Sequence, residues 1–304
     1  MVFNFPEGDT VLVQYQAQSY YLQLQQYAND LEVRDRMSGK AVQHFDRYMG
    51  MARQNILENH EITVRPVDRR DNYIKRCIAV PGDTLRIVNT QVYVNGKPQA
   101  QFPGIQFRYL IHTDGSRINI RTFEKLNIYR DDVHDLGNGL YEIPLIAANA
   151  VEIEKLGNVQ SVQKKIRPAG FYDSDIFPHD ERYAWNLDNF GPLWIPKKGV
   201  TVSIDTANIC FYERIITAYE GNEMNIRNGE IYINGARADS YTFRMDYYWM
   251  MGDNRHDSLD SRYWGFVPED HIVGAPRFVW LSLNKDKMFP LNIRLNRMFR
   301  PAGR

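Results

Sequence analysis

The 304-residue chain has no apolar run approaching the ~18 residues that a membrane-crossing helix needs, and its first residues are not expected to act as a signal peptide. It has no excess charge of either sign: 37 Lys+Arg stand against 37 Asp+Glu. Nothing electrostatic therefore points to nucleic acid. Cysteine is scarce, with Cys77 and Cys210 the only two. A bridge would need their backbones within disulfide range, and Cys77 reads better as a small buried thiol. The seven histidines fall at 44, 60, 112, 134, 179, 256 and 271. None forms His-x-x-x-His, and Cys-x-x-Cys does not occur, so no metal site and no cofactor is expected. Low-complexity tracts and blocks of like charge are also missing.

What is present is aromatic. Nineteen Tyr and 15 Phe favour strands over disorder, and the length allows two domains or one core with a large insertion. Residues 1–13 read as strand, turn, strand, the turn being Pro6-Glu7-Gly8-Asp9. A helix is expected over 14–36, with Tyr20, Leu24, Tyr27 and Leu31 on one face. A second is expected over 41–57, with Val42, Phe45, Met49 and Met51 apolar, after a break at Ser38-Gly39. Strands follow over 62–67 and 72–80, then a hairpin arm over 84–94 ending at Asn95-Gly96, a type I′ turn signal. Ile231-Tyr232-Ile233-Asn234-Gly235 nearly copies Val92-Tyr93-Val94-Asn95-Gly96. Common hairpin chemistry and duplication around an insertion both account for the copy. Between the copies, short apolar runs and turn clusters, with Pro178, Pro192 and Pro196, read as mostly β. A further strand is expected over 272–283, and the tail 289–304 is basic and amphipathic.

Two strings carry chemistry. The first is Tyr73-Ile74-Lys75-Arg76-Cys77-Ile78-Ala79-Val80-Pro81-Gly82-Asp83. The second is Met251-Gly252-Asp253-Asn254-Arg255-His256-Asp257-Ser258-Leu259-Asp260-Ser261-Arg262-Tyr263-Trp264-Gly265-Phe266-Val267-Pro268. A lysine acts as a base near neutrality only if burial lowers its pKa from about 10.4. Lys75 lies among Tyr73, Ile74, Ile78 and Val80 on an expected strand. A lone strand lysine is more often an exposed surface group, so the surrounding string matters. The second string is acidic, but its spacing fails that of a calcium loop.

Together the strings resemble the lysine box and the C-terminal box of bacterial type I signal peptidases, membrane-bound serine–lysine proteases. The resemblance implies a mainly β, α+β fold. An antiparallel β catalytic core would cover 1–96 and 236–304, with a short helical hairpin inserted at 14–60. A large β insertion domain would cover 97–235. It implies that Lys75 is the catalytic base and that Ser258 orients the lysine amine. Arg76 and Asp253 would pair, as would Asp260 and Arg262, to brace the site. Tyr73 and Ile74 would line the substrate pockets that read Ala-x-Ala. The implied partners are signal peptides of exported preproteins. The implied location is the outer face of the cytoplasmic membrane, reached through an N-terminal anchor that the chain lacks.

The nucleophile is the point of departure. In the family it lies in Ser-Met-x-Pro-Thr, upstream of the lysine box. None of the ten serines here is followed by Met-x-Pro. The chain as given is therefore expected to be inactive, and Met1 an imposed rather than a native start. A non-catalytic peptide-binding or scaffold paralogue is the first alternative. A self-cleaving repressor-type Ser–Lys protease is the second, disfavoured by the missing helix-turn-helix and by the second string.

Overall fold

The computed structural model describes residues 1–6, 10–42, 45–65, 72–284, 286 and 288–302, leaving aside the side chains of 15–19, 22, 45 and 46. The mainly β expectation holds: short antiparallel strands dominate, and the helices are few. Glu7-Gly8-Asp9 of the expected first turn lie outside the described residues.

Two small sheets frame the region of interest. In the first, strand Val2–Asn4 lies between Asn72–Ile74 and Ile272–Gly274. In the second, Tyr247–Met251 lies between Arg76–Ala79 and Val267–Pro268. A cluster of Phe3, Phe5, Met250, Trp264 and Val267, with Tyr73 packed on it, fills the space between them. The continuous strand expected over 72–80 is in fact two, Asn72–Ile74 and Arg76–Ala79, broken at Lys75. The sequence pattern does not mark the break, because Asn72–Ile74 and Arg76–Ala79 both read as strand yet serve different sheets.

The principal core joins Leu85, Ile87, Phe190, Ile195, Ile216, Phe243 and Trp249. Strand Thr84–Val88 pairs with Gln91–Val94 on one side and Phe190–Trp194 on the other. At the expected type I′ turn, Asn95 and Gly96 take φ of 51° and 75°, a region that Asn and Gly tolerate best. The second copy has the same build. Thr84 N donates to Asn95 Oδ1 at 2.8 Å, and Glu223 N donates to Asn234 Oδ1 at 2.9 Å.

Strands His134–Gly137, Leu140–Ile146, Gln106–Thr113 and Val159–Lys164 form a separate antiparallel sheet. Its core of Ile105, Ile111, Ile143, Leu145 and Ile153 is closed on itself. Along Gln106–Thr113 every second residue is buried, the period of a strand with one covered face. The stretch 97–235 thus divides between two cores: residues 105–162 build this one, while Ile176, Phe190, Ile204 and Ile231 belong to the principal core.

The helical hairpin consists of Tyr20–Met37 and Phe45–Asn59. Its packed faces are Leu24 and Ala28 against Tyr48, Ala52 and Ile56, with Leu12 beneath. Met51 and Val42 are exposed, contrary to expectation. Small Ala52 at i+4 from Tyr48 permits close approach, which a hydrophobic pattern does not weigh. Tyr27 is likewise largely exposed. The expected strand over 272–283 is reduced to Ile272–Gly274 and Phe278–Val279. Among the described residues, no helix is long and apolar enough to cross a membrane.

Candidate active site

Lys75 occupies the step between the two small sheets. Its backbone is held by the first strand: Lys75 N donates to Met1 O at 3.1 Å, and the Met1 amine donates to Lys75 O at 2.7 Å. Its side chain is half-buried. The Lys75 Nζ donates to Ser258 Oγ at 2.8 Å and lies 5.8 Å from the Tyr73 ring centroid. Burial lowers the Lys75 pKa from its ordinary value and outweighs the opposing pull of the Asp260 carboxylate; Arg262 adds to the lowering. Ser258 is itself buried.

The room for this contact comes from Gly252. A Cβ at that position would stand 2.0 Å from Ser258 Oγ, 2.6 Å from Ser258 Cβ and 3.4 Å from Lys75 Nζ. Any larger residue would displace the serine.

Two ion pairs brace the loop that carries Ser258, in different environments. Arg76 grips Asp253 with two parallel bonds, Nε to Oδ1 at 2.9 Å and Nη2 to Oδ2 at 2.8 Å. That pair is partly open, with the side chains 28% and 42% exposed, and the Arg76 guanidinium also covers the Phe102 ring at 3.7 Å. The Asp253 carboxyl is held below its ordinary range chiefly by this hydrogen bond. Asp260 and Arg262 form a second bidentate pair, at 2.9 and 2.8 Å, with side chains only 0% and 1% exposed. The remaining Arg262 donors reach Leu187 O and Arg255 O. Asp260 also accepts from Gly252 N at 3.0 Å and caps helix Ser261–Trp264 through Arg262 N. The helix starts there because an aspartate side chain satisfies a first-turn N–H.

Tyr73 and Ile74 lie beside this group in unlike settings. The Tyr73 ring stacks on Phe5 at 4.9 Å and meets Trp264 edge-on at 5.9 Å. Ile74 is 65% exposed. Their strand, Asn72–Ile74, is the edge of its sheet among the described residues.

Several supporting residues were not identified from sequence. The loop is tied to the strand Gln106–Thr113: Gln106 N donates to Asp253 O, and Arg255 N donates to Gln106 O, both at 2.8 Å. His256 Nδ1 accepts from Arg108 N at 3.0 Å, and His256 Nε2 meets Asp188 Oδ1 at 2.7 Å. Arg108 also pairs with Asp257 and Glu142. These contacts span up to 149 positions, and only the row of polar residues after Gly252 hinted at them. Both cysteines are free. Among the described residues, no group of three or more His, Cys, Asp or Glu could hold a metal.

A half-buried lysine thus donates to a buried serine hydroxyl within an antiparallel β frame, flanked by two ion pairs. The chain belongs to the signal peptidase family, peptidase S26, whose profile matches residues 5–139 and 237–281, more than half of the chain. It is similar to signal peptidase I of Buchnera aphidicola subsp. Acyrthosiphon pisum, with 56% identity over 52 residues, 17% of each chain. Signal peptidase I of Haemophilus influenzae is 49% identical over 53 residues, 17% of this chain and 15% of that one. Signal peptidase I of Helicobacter pylori is 31% identical over 115 residues, 34% of this chain and 39% of the relative. Each match spans well under two thirds of the relative's length.

Proposed function

We propose that this chain carries most of the catalytic frame of a serine endopeptidase that removes signal peptides from exported preproteins. The observation that carries the proposal is the 2.8 Å contact between Lys75 Nζ and Ser258 Oγ, made where burial lowers the lysine pKa. A neutral amine there has a lone pair for the proton of an attacking serine hydroxyl. It then returns that proton to the leaving amine as the peptide bond breaks. Ser258 fixes the direction of that lone pair. Asp260 and Arg262 hold the path of the loop, and Arg76 with Asp253 ties the loop to the lysine strand.

The edge strand Asn72–Ile74 suits an extended substrate, which would add to it by backbone hydrogen bonds. Exposed Ile74 and half-buried Tyr73 would meet the substrate side chains. The nucleophile is no residue of this chain: it would come from a Ser-Met-x-Pro-Thr segment, with a membrane anchor placing the site on the outer face of the cytoplasmic membrane. The chain by itself is accordingly inactive. Residues 105–162 build a core of their own.

The test is cleavage of an Ala-x-Ala preprotein in detergent. The chain alone should give no turnover. The product of the complete gene should give turnover that Lys75→Ala abolishes. Turnover that survives Lys75→Ala would overturn the proposal. A complete gene encoding no Ser-Met-x-Pro-Thr segment would instead make the chain a non-catalytic peptide-binding relative.

A further inference from the structure

Behind the loop that carries Ser258 lies a cavity of about 70 Å³, lined by Cys77, Thr90, Gln91, Phe102, Phe107 and Arg255 among others. A single water needs only ~10–15 Å³ on this measure, so there is room for a small polyatomic ligand. Its most unusual wall residue is Arg255, which is 4% exposed. The Arg255 Nε is buried with no hydrogen-bond partner. Its backbone is fully engaged, with N on Gln106 O and O accepting from Arg262. Its side chain, by contrast, makes no ion pair among the described residues. The nearby carboxylates are committed elsewhere, Asp253 to Arg76 and Asp260 to Arg262.

A second cation lies beside two of the wall groups, without itself lining the cavity. Lys164 Nζ lies 4.2 Å over the Phe107 ring and 3.5 Å from Thr90 Oγ1, two wall groups. It too has no ion-pair partner among the described residues. Asp188 offsets part of its charge from a distance, but the Asp188 carboxylate is already bonded to His256 and to Arg167 N. Neither Arg255 nor Lys164 therefore has a carboxylate of its own among the described residues. A buried cation without a counter-charge or full hydrogen bonding is expensive. Burial lowers the pKa of both groups, that of Arg255 to about 10, which leaves it charged at neutral pH. The Cys77 thiol is pushed up by burial and stays neutral, so the wall presents no competing anion.

We propose that this cavity binds a compact oxyanion of the phosphate class, held by Arg255 and Lys164 with the Thr90 hydroxyl as a further donor. Planar guanidinium donors suit such an anion. The bound anion would fasten the arm from Thr90 to Phe102 to the loop that carries Asp253 and Ser258. The ligand is either free in solution or the headgroup of an anionic lipid.

The test uses the chain in inorganic phosphate at constant ionic strength, with sodium chloride as the matched control. Thermal midpoint and ³¹P line width are the readouts. Binding predicts a midpoint rise of about 3 °C that saturates with ligand, at concentrations too low for phosphate to act as an excluded salt. Line broadening should follow the same curve. Arg255→Met should abolish both effects, and Lys164→Met should weaken the affinity by about tenfold or more, as loss of a charged donor implies. If Arg255→Met does not fold, Lys164→Met alone decides. Co-sedimentation with phosphatidylglycerol vesicles but not phosphatidylcholine vesicles, lost in the variant, would assign the headgroup. A response to free phosphate without vesicle binding would assign the free ion. Equal effects of phosphate and chloride, or a full response in the variants, would overturn the proposal.

Discussion

Lys75 Nζ and Ser258 Oγ meet at 2.8 Å across 183 positions of sequence, in a space that Gly252 leaves open. The Gly252 requirement is steric, since an added Cβ would overlap Ser258. Gly252→Ala should destabilise by about 1–3 kcal/mol, the usual penalty of overpacking. Ser258→Gly in the same chain should recover much of that loss, because the overlapping atoms are gone. Urea unfolding of the two single variants and the double variant measures the coupling. Additive effects would show that the two positions do not touch.

The two bracing pairs should differ in what their loss does. Asp260→Ala leaves Arg262 buried without its counter-ion, a loss of about 3–5 kcal/mol. Asp253→Ala removes a partner that is 42% exposed, and solvent screening limits the loss to about 1 kcal/mol or less. Thermal melts should therefore rank Asp260→Ala well below Asp253→Ala. Equal midpoints would contradict the difference in burial.

Stability should depend on pH through Lys75. Its folded pKa is lowered, so between that value and the unfolded ~10.4 the unfolded state binds more protons, and stability rises with pH. Below the folded value the lysine is charged in both states and its burial is fully unfavourable. Lys75→Met removes this charge and keeps the apolar stem. The variant should melt higher than the parent at neutral pH, and the gap should close as pH approaches 10. A variant that is less stable across the range would make Lys75 a structural ion-pair residue.

The link between the loop and the strand Gln106–Thr113 gives a further expectation. Asp188 is buried and accepts from His256 and Arg167 N. His256→Ala removes one donor and should destabilise by about 1–3 kcal/mol. His256→Gln retains a donor and should recover part of the loss. Denaturant midpoints decide it, and no loss in either variant would show that the pair carries no structural weight.

The legible parts of this chain were those whose chemistry is written contiguously. Lys75 with Arg76, and Gly252 through Arg262, each form an unbroken string, and the pairs Arg76–Asp253 and Asp260–Arg262 lie within or between these strings. The Asn-Gly turns were legible for the same reason, because positive φ selects their residue types locally. The break at Lys75 was hidden, since residues 72–80 have one β pattern although they serve two sheets. The helix faces are not legible from hydrophobicity where small Ala28 and Ala52 do the packing. The boundary near 165, after which the chain rejoins the principal core, depends on contacts made by Ile176 and Phe190 far along the sequence. The burial of Arg255 could not be read from an arginine in a polar string.

Burial lowers the pKa of Lys75 beside Ser258. The most direct measurement is an NMR titration of the chain with ¹³Cε-labelled lysine, assigned with Lys75→Met. One resonance, absent in that variant, should titrate below the exposed lysines and move toward their range at low urea as the site opens. A Lys75 resonance that titrates with the exposed lysines would contradict the lowered pKa.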